Sequence, residues 1–577
     1  MTTQNSWFDK ASKDVNDFSA KGGVGVDPFA RVFEERRKAY SLFATQMSDA
    51  QIEKLRSYIF NYSKLPATAA DKPVQTPNLI AGEWKMAAKQ ARMTSPGDRR
   101  ITLAEMPESN REDVNTALTY AYDYWQSMKW ADDTLAYRKH VIKNFSRMMN
   151  YFYEDVLREI RVCIPKTRVE ADKDFWEAKR AADHLEGSAE RAMLGEMMPT
   201  MMENFTYWKN MNLPAGISAI ITPMNFIWGI PVIHLVGCYL VGAPLVFKGH
   251  PLAAIANTTM IRMLIAAGAD PRMVQKIEGF GKDVETLVSD PRVAVVAVTG
   301  SDETAAHMMK LRGVRPVKFE GGGTNWCFVD EGYSDDDLKK IAIRLTYSKL
   351  GFSSHKCTSL HGIAATPPVM QKLLPLISRE MDEWKTMNPT EVPADVTKVV
   401  GPCMVHKAKT ASDIQDAVAK AGATVYRKGG RVTGNDYADH AEVIAPIIIS
   451  GAKPDTKVRV DWDGRGERDV TLMSTEFFMP ILVTSEMASF DDFLKFSLVQ
   501  NPHDLAVSIW SRSDKNLSKA RRVLAGMLKE NDGTDSALEW EEFGASGVGT
   551  SGNMGVGDPE ATFAIYSRRQ KGRHVVF

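Results

Sequence analysis

The chain has 577 residues, 44% hydrophobic and 25% charged, with Lys plus Arg equal to Asp plus Glu at 72 each. That length predicts two or three domains, and the even charge gives no reason to propose nucleic acid or an anionic membrane surface as a partner. Five scattered cysteines (Cys163, Cys238, Cys327, Cys357, Cys403) form no CxxC pair, so neither a zinc site nor a disulfide framework is expected, and a reducing, cytoplasmic setting fits.

The opening MTTQNSWFDKASKDVNDF lacks an apolar core, so no secretory signal is expected, and its early acids argue against a transit peptide. Residues 1–75 are polar, partly helical in pattern and end in KLPATAADKPVQTP; they read as an N-terminal helical extension. Residues 110–195 are charged, amphipathic and largely helical. Residues 216–247 contain no Asp, Glu, Lys or Arg, and their length alone allows a membrane span. Pro223, Pro231, Pro244, Asn225 and His234 interrupt the run, so a buried strand–loop–helix–strand unit is expected instead.

From residue 216 onward short apolar runs alternate with helical patterns. ISAIIT, PLVFK, MVQKIEG, VAVVAVTG and RPVKFEG read as strands, and TTMIRMLIAAG and ETAAHMMKLRG as helices between them. Such alternation predicts an α/β fold with a parallel sheet covered on both faces. A second alternating region spans about 336–525, and the end, ATFAIYSRRQKGRHVVF, alternates as one strand would. Ligands on parallel sheets bind beyond the carboxyl ends of strands. That rule selects Thr222, Pro223, Met224, Asn225, Lys248, Gly300, Ser301 and Glu320, although no G-x-G-x-x-G follows the first strand.

ITPMNF, LVFKGHP, VTGSDETA, KFEGGGTNWCFVD, SSHKCTS and STEFFMP occur in this order. Together they resemble the aldehyde dehydrogenase superfamily, whose pattern runs PWNF, KPSE, TGSTEVG, ELGGKN, GQxC and EEIFGP. The similarity covers roughly residues 78–577. Within the superfamily the chain looks most like the pyrroline-5-carboxylate (glutamate semialdehyde) dehydrogenases. The shared features are the EGGGTN motif, the Lys356–Cys357 pair, the N-terminal extension and the glycine-rich GASGVGTSGNMGVGDP near the end.

Oxidising an aldehyde to an acid calls for a nucleophile that forms a hydride-donating tetrahedral adduct. A cysteine thiolate attacks well and leaves readily. Taken alone, Cys357 reads as one buried thiol among five; the resemblance makes it the nucleophile, and Lys356 beside it would favour the thiolate. The resemblance also implies an oxyanion hole from the Cys357 N–H and the Asn225 amide, and Glu320 as the base for thioester hydrolysis. It implies coenzyme contacts from Thr222, Pro223, Met224, Lys248, Gly300, Ser301, Glu476 and Phe478, with NAD or NADP as coenzyme. His355 reads as a loop residue.

Several residues depart from the family pattern: Pro251 stands for the glutamate of KPSE, Thr324 for the lysine of GGKN, Met479 for the glycine of FGP, and Ala545 ends FGA. The first bears on coenzyme choice and the last on substrate. The resemblance implies two parallel-sheet lobes, a dinucleotide-binding domain (76–204 and 216–324) and a catalytic domain (325–535). It also implies an oligomerisation arm with a C-terminal substrate loop (205–215 and 536–577), making a homodimer or higher homo-oligomer. The implied activity is NAD(P)-dependent oxidation of an aldehyde, a semialdehyde such as glutamate semialdehyde being the nearest. The alternatives are an NADP-dependent semialdehyde dehydrogenase of a catabolic pathway and a non-catalytic protein retaining the fold.

Overall fold

The computed structural model describes residues 6–41, 44–194, 196–199, 205–403, 407–501, 503, 505–544 and 551–575. The apolar runs form two sheets. The first has eight strands, ordered Gly25–Val26, Glu83–Lys85, Asn78–Ile80, Val274–Lys276, Leu245–Lys248, Ile217–Ile221, Val293–Thr299 and Val317–Glu320. The last five run parallel and the first three are added antiparallel. Chain order reverses between Ile217–Ile221 and Val293–Thr299, which creates a crevice at the carboxyl ends of those two strands.

The second sheet has seven strands, ordered Thr424–Arg427, Ile447–Ser450, Ile481–Glu486, Leu360–Ala365, Asn325–Val329, Ala506–Trp510 and Met527–Glu530. Only four residues, 321–324, separate Glu320 at the end of one sheet from Asn325 at the start of the other. A third sheet pairs Glu196–Pro199, Phe205–Pro214 and Ser567–Val575 antiparallel.

The charge-free run from 216 is a buried strand followed by the helix Gly229–Val241, every residue of which is buried. No described helix is long and apolar enough to cross a membrane.

The final alternating segment differs from its reading as one strand. Pro559–Tyr566 is a helix, and only Ser567–Val575 is extended. Asp558 caps the helix by accepting from the Ala561 N–H, and Pro559 takes the first helical position. Those two signals outweigh the alternation that follows.

The first 75 residues are woven into the larger sheet's lobe. Gly25–Val26 is its edge strand, and Phe8, Phe29, Tyr58 and Leu65 join the same apolar core as the helix Ala254–Ala267. Arg262 of that helix is fully buried against the Trp84 ring at 4.6 Å and donates to the carbonyls of Gly23 (2.6 Å) and Tyr58 (3.1 Å).

Candidate active site

The helix Asp335–Leu350 delivers the chain to a turn in which Phe352, Ser353 and Ser354 all have left-handed φ, at 55°, 55° and 63°. Non-glycine residues held there cost on the order of 1–3 kcal/mol each and persist only when neighbours fix them. Here the Phe352 N–H donates to Glu170 Oε1 at 2.6 Å, the Gly401 N–H donates to Ser353 Oγ at 2.7 Å, and Ser354 Oγ donates to the Lys349 carbonyl at 2.7 Å. Cys357 follows, half-buried, just before the strand Leu360–Ala365. Asn325 Nδ2 donates to the Cys357 and Ser359 carbonyls at 2.7 and 2.8 Å and so pins the loop to the neighbouring strand. A side chain at Gly323 would put its Cβ 2.7 Å from the Cys357 carbonyl, so the inter-sheet linker touches the nucleophile loop.

Burial raises the Cys357 thiol well above its ordinary pKa, and the carboxyls of Glu320 and Glu476 push it further the same way. Lys356 acts in the expected direction, lowering the thiol pKa, but is outweighed by burial and the two carboxyls. Its ammonium donates to the Asp535 carbonyl at 2.7 Å and lies 5.0 Å over the Phe352 ring. Cys357 therefore rests as a thiol and needs a base. His355 is not placed for that role: burial holds it neutral, at about 3, and its Nε2 lies 3.9 Å from Cys403 Sγ.

Glu320 is 2% exposed and burial lifts its carboxyl to about 7. It accepts from Thr299 Oγ1 at 3.1 Å. A C-terminal segment lies across it: the Gly321 N–H donates to the Ser551 carbonyl at 2.9 Å and Gly552 bridges to Glu320. Residues 545–550 of the glycine-rich stretch, with Ala545 of the FGA departure, lie outside the described residues. Asn225 is 5% exposed, and its amide has no hydrogen-bond partner among the described residues.

The remaining candidates border the crevice at the strand reversal. Thr222 follows one central strand, and its buried hydroxyl has no hydrogen-bond partner among the described residues; Pro223 and Met224 come next, half-buried. Gly300 ends the other, with open space where a side chain would be, and Ser301 caps the helix Asp302–Arg312 by accepting from the Thr304 N–H. Lys248 closes the next strand. An orphaned hydroxyl, the open space at Gly300 and an ammonium group border the place where a dinucleotide would lie.

That helix start carries two acids, and each meets a partner from the segment 457–503; burial lowers the His503 pKa, so only the arginines bring charge. Asp302 faces His503 at 3.2 Å, and Glu303 pairs with Arg468 and, at 3.8 Å, with Arg465. The arginines belong to the hairpin Lys457–Asp461/Glu467–Thr471. On the far side of the cleft Glu476 accepts from the Gly323 N–H at 3.2 Å, and burial raises it to about 7. A Cβ at position 322 would lie 2.0 Å from a Glu476 oxygen, so any larger residue there would displace the Glu476 carboxyl. Phe478, itself at φ 54°, packs 5.4 Å from His355.

Sequence reading assigned no role to Asn325, Glu170, Asp174 or Glu177. Asn325 lies inside a quoted motif; the three acids are helix residues whose partners lie far along the chain. Glu177 is lifted to about 8 by burial and by Asp174, and stands in the field of Lys356.

The model of the aldehyde dehydrogenase family matches residues 84–570. The chain belongs to that family. As a member it is an NAD(P)-dependent aldehyde dehydrogenase. It is 24% identical to the NADP-dependent glyceraldehyde-3-phosphate dehydrogenase of Apium graveolens, over 66% of this chain and 74% of that one. It is 23% identical to the 2,5-dioxopentanoate dehydrogenase of Saccharolobus solfataricus, over 82% of this chain and 95% of that one.

The fold matches a putative methylmalonate-semialdehyde dehydrogenase of Sinorhizobium meliloti, crystallised with NAD. The TM-score is 0.77 at 17% identity, covering 88% of this chain and 98% of that one. The 1-pyrroline-5-carboxylate dehydrogenase of Thermus thermophilus superposes with TM-score 0.76 at 18% identity, covering 93% and 98%. Within this family, the departure at Pro251 has a local consequence. His250 next to it accepts from the Leu252 N–H and is held neutral, at about 3. It therefore brings no charge to a ribose phosphate.

Proposed function

We propose that this aldehyde dehydrogenase converts a semialdehyde to the free carboxylic acid through a covalent adduct on Cys357. The observation that carries the reading is a half-buried thiol standing in the field of a dry carboxyl that titrates near neutrality, Glu320, at the linker between the two sheets. Glu320 takes the thiol proton. The sulfur bonds to the carbonyl carbon, and the oxyanion that develops is met by the Cys357 N–H and the Asn225 amide. NAD(P)⁺ bound along Thr222, Lys248, Gly300, Ser301 and Glu476 supplies the hydride acceptor. Glu320 gives up that first proton to solvent; water then attacks the thioester that remains and its proton passes to Glu320, and as the C–S bond breaks the departing sulfur takes this proton back, so the acid leaves with the thiol restored.

Glutamate semialdehyde is the first substrate to test, on the resemblance of EGGGTN and the Lys356–Cys357 pair to that branch. Two relatives are named for anionic aldehydes, and the ammonium groups of Lys173 and Lys356 lie 5.9 and 5.0 Å over Phe352 in the nucleophile loop. No disulfide joins any of the five cysteines, all of them among the described residues, which supports a reducing, cytoplasmic setting.

A panel of neutral, amino-acid and dicarboxylate-derived aldehydes, run with NAD⁺ and NADP⁺ and with or without coenzyme A, tests the reading. Coenzyme-A-independent reduction with an anionic semialdehyde supports it. Turnover that requires coenzyme A, or oxidation confined to neutral aldehydes, overturns it.

A further inference from the structure

The long helix Arg168–Leu194 carries Glu170, Asp174 and Glu177 at spacings of four and three, so the three acids share one face. Two of them hold, separately, the two loops that supply the oxyanion donors. Glu170 is 3% exposed. Its Oε2 accepts from the Thr167 N–H at 2.9 Å, which locks the side chain to its own helix start, and its Oε1 takes the Phe352 N–H at 2.6 Å. Phe352 opens the left-handed turn that leads to Cys357.

One helical turn further on, Asp174 is fully buried. It accepts from the N–H groups of Ile227 (3.2 Å), Trp228 (3.3 Å) and Gly229 (2.8 Å), the start of the helix that follows Asn225. Lys166 balances its charge at 2.9 Å. Between the two anchors the rings of Phe226 and Phe352 stack, with centroids 5.2 Å apart.

We propose that Glu170 and Asp174 are positioning residues: together they set the distance between the Cys357 loop and the Asn225 loop, and hence the width of the oxyanion hole. This rests on the roles given above to Cys357 and Asn225. Four residues of helix separate the anchors by about 6 Å along its axis, and a hydrogen-bonded helix holds such a span more firmly than two loops can. A turn of three left-handed residues relaxes when its outside anchor goes, and the thiol three residues beyond moves with it. Misplacement of a reacting group by about 1 Å costs on the order of a hundredfold in rate.

The test compares Glu170→Gln, Glu170→Ala, Asp174→Asn, Asp174→Ala and the double alanine variant, each as the full chain. Four quantities are measured: kcat on the best aldehyde, coenzyme Kd by fluorescence, thermal midpoint, and the rate of Cys357 alkylation by iodoacetamide followed by peptide mass. Each alanine variant is expected to lose about 10- to 100-fold in kcat, with coenzyme Kd within about twofold of wild type. The Cys357 alkylation rate should change at least about threefold in Glu170→Ala and return toward wild type in Glu170→Gln, whose remaining oxygen still accepts from Phe352. The double variant should lose less than the product of the singles, because either break already frees the spacing.

An unchanged alkylation rate in both Glu170 variants overturns the proposal, as does a kcat loss that only follows the folded fraction or multiplies fully in the double variant. Alkylation needs no aldehyde, so it decides the positioning role even if the substrate reading fails. If Glu170→Ala does not fold, Glu170→Asp, one methylene shorter than the side chain that spans the Thr167 and Phe352 N–H groups, is expected to change the alkylation rate in its place, and an unchanged rate in it overturns the proposal.

Discussion

Glu320 ends a strand with its carboxyl near neutrality, so its charge changes within the working pH range. Glu320→Gln should slow both the single-turnover burst of reduced coenzyme and steady-state turnover, the latter by about 10²- to 10⁴-fold, the usual worth of a general base; a burst at the wild-type rate would confine its role to thioester hydrolysis. Wild-type kcat should rise with pH through an apparent pKa near 7. The same burial has a stability consequence. The folded pKa is raised, so the favourable contribution is complete below the ordinary carboxylate range and is lost as pH rises through about 7. Glu320→Gln should therefore gain stability relative to wild type between pH 5 and pH 8, by up to about 3 kcal/mol, as read by denaturant melts at the two pH values. Coenzyme choice also belongs to this scale. Pro251 offers no carboxylate, and nearby Glu278 is fully buried and already paired with Lys276 at 2.8 Å. NADP⁺ should be used within about tenfold of NAD⁺ in kcat/KM, about 1.4 kcal/mol; a thousandfold preference for NAD⁺ is the contrary result. Cys357, Glu320, Lys248 and Glu476 stand out in the sequence because each sits in a short motif. Glu170 does not, because its partner Phe352 lies 182 residues away and no local pattern encodes that bond.

Among the elements, the five parallel strands of the coenzyme sheet were legible from their apolar runs, since burial on both faces removes the polar alternation. The helix at Pro559 was missed because six residues of mixed polarity fit either period, and only the cap decides. The hairpin that brings Arg465 and Arg468 to Glu303 was also missed: its charged tip, DGRGER, reads as a solvated turn until its partner is in view. Those arginines offset an acid at a helix start that faces the coenzyme cleft. Replacing both with alanine should raise coenzyme Kd by up to about fivefold, the scale of partly exposed ion pairs. The increase should shrink between 50 mM and 500 mM salt as screening takes over. A Kd that does not move at low salt would show that Glu303 is too far from the bound coenzyme to matter.

For the whole molecule, the three-stranded sheet leaves Ser567–Val575 as a nine-residue edge, paired on one side by Phe205–Pro214. An edge of that length invites a second copy. Sedimentation at micromolar concentration should give a dimer or larger, and removing residues 567–577 should shift it to monomer; a fully active monomer of the intact chain would contradict this. The overall architecture was legible from the order of the motifs, whereas the fate of residues 1–75 was not, because amphipathic helices do not announce which core they join. That integration bears on how the protein is made. The Gly23 carbonyl and the Arg262 guanidinium that binds it are 239 residues apart, so at about 5–20 residues per second the ribosome needs roughly 12–48 s to supply the second after the first. For that interval Phe8, Phe29 and Tyr58 can pack only on one another and on earlier parts of their core such as Trp84 and Phe145, and the half supplied by Ala254–Ala267 closes over them last.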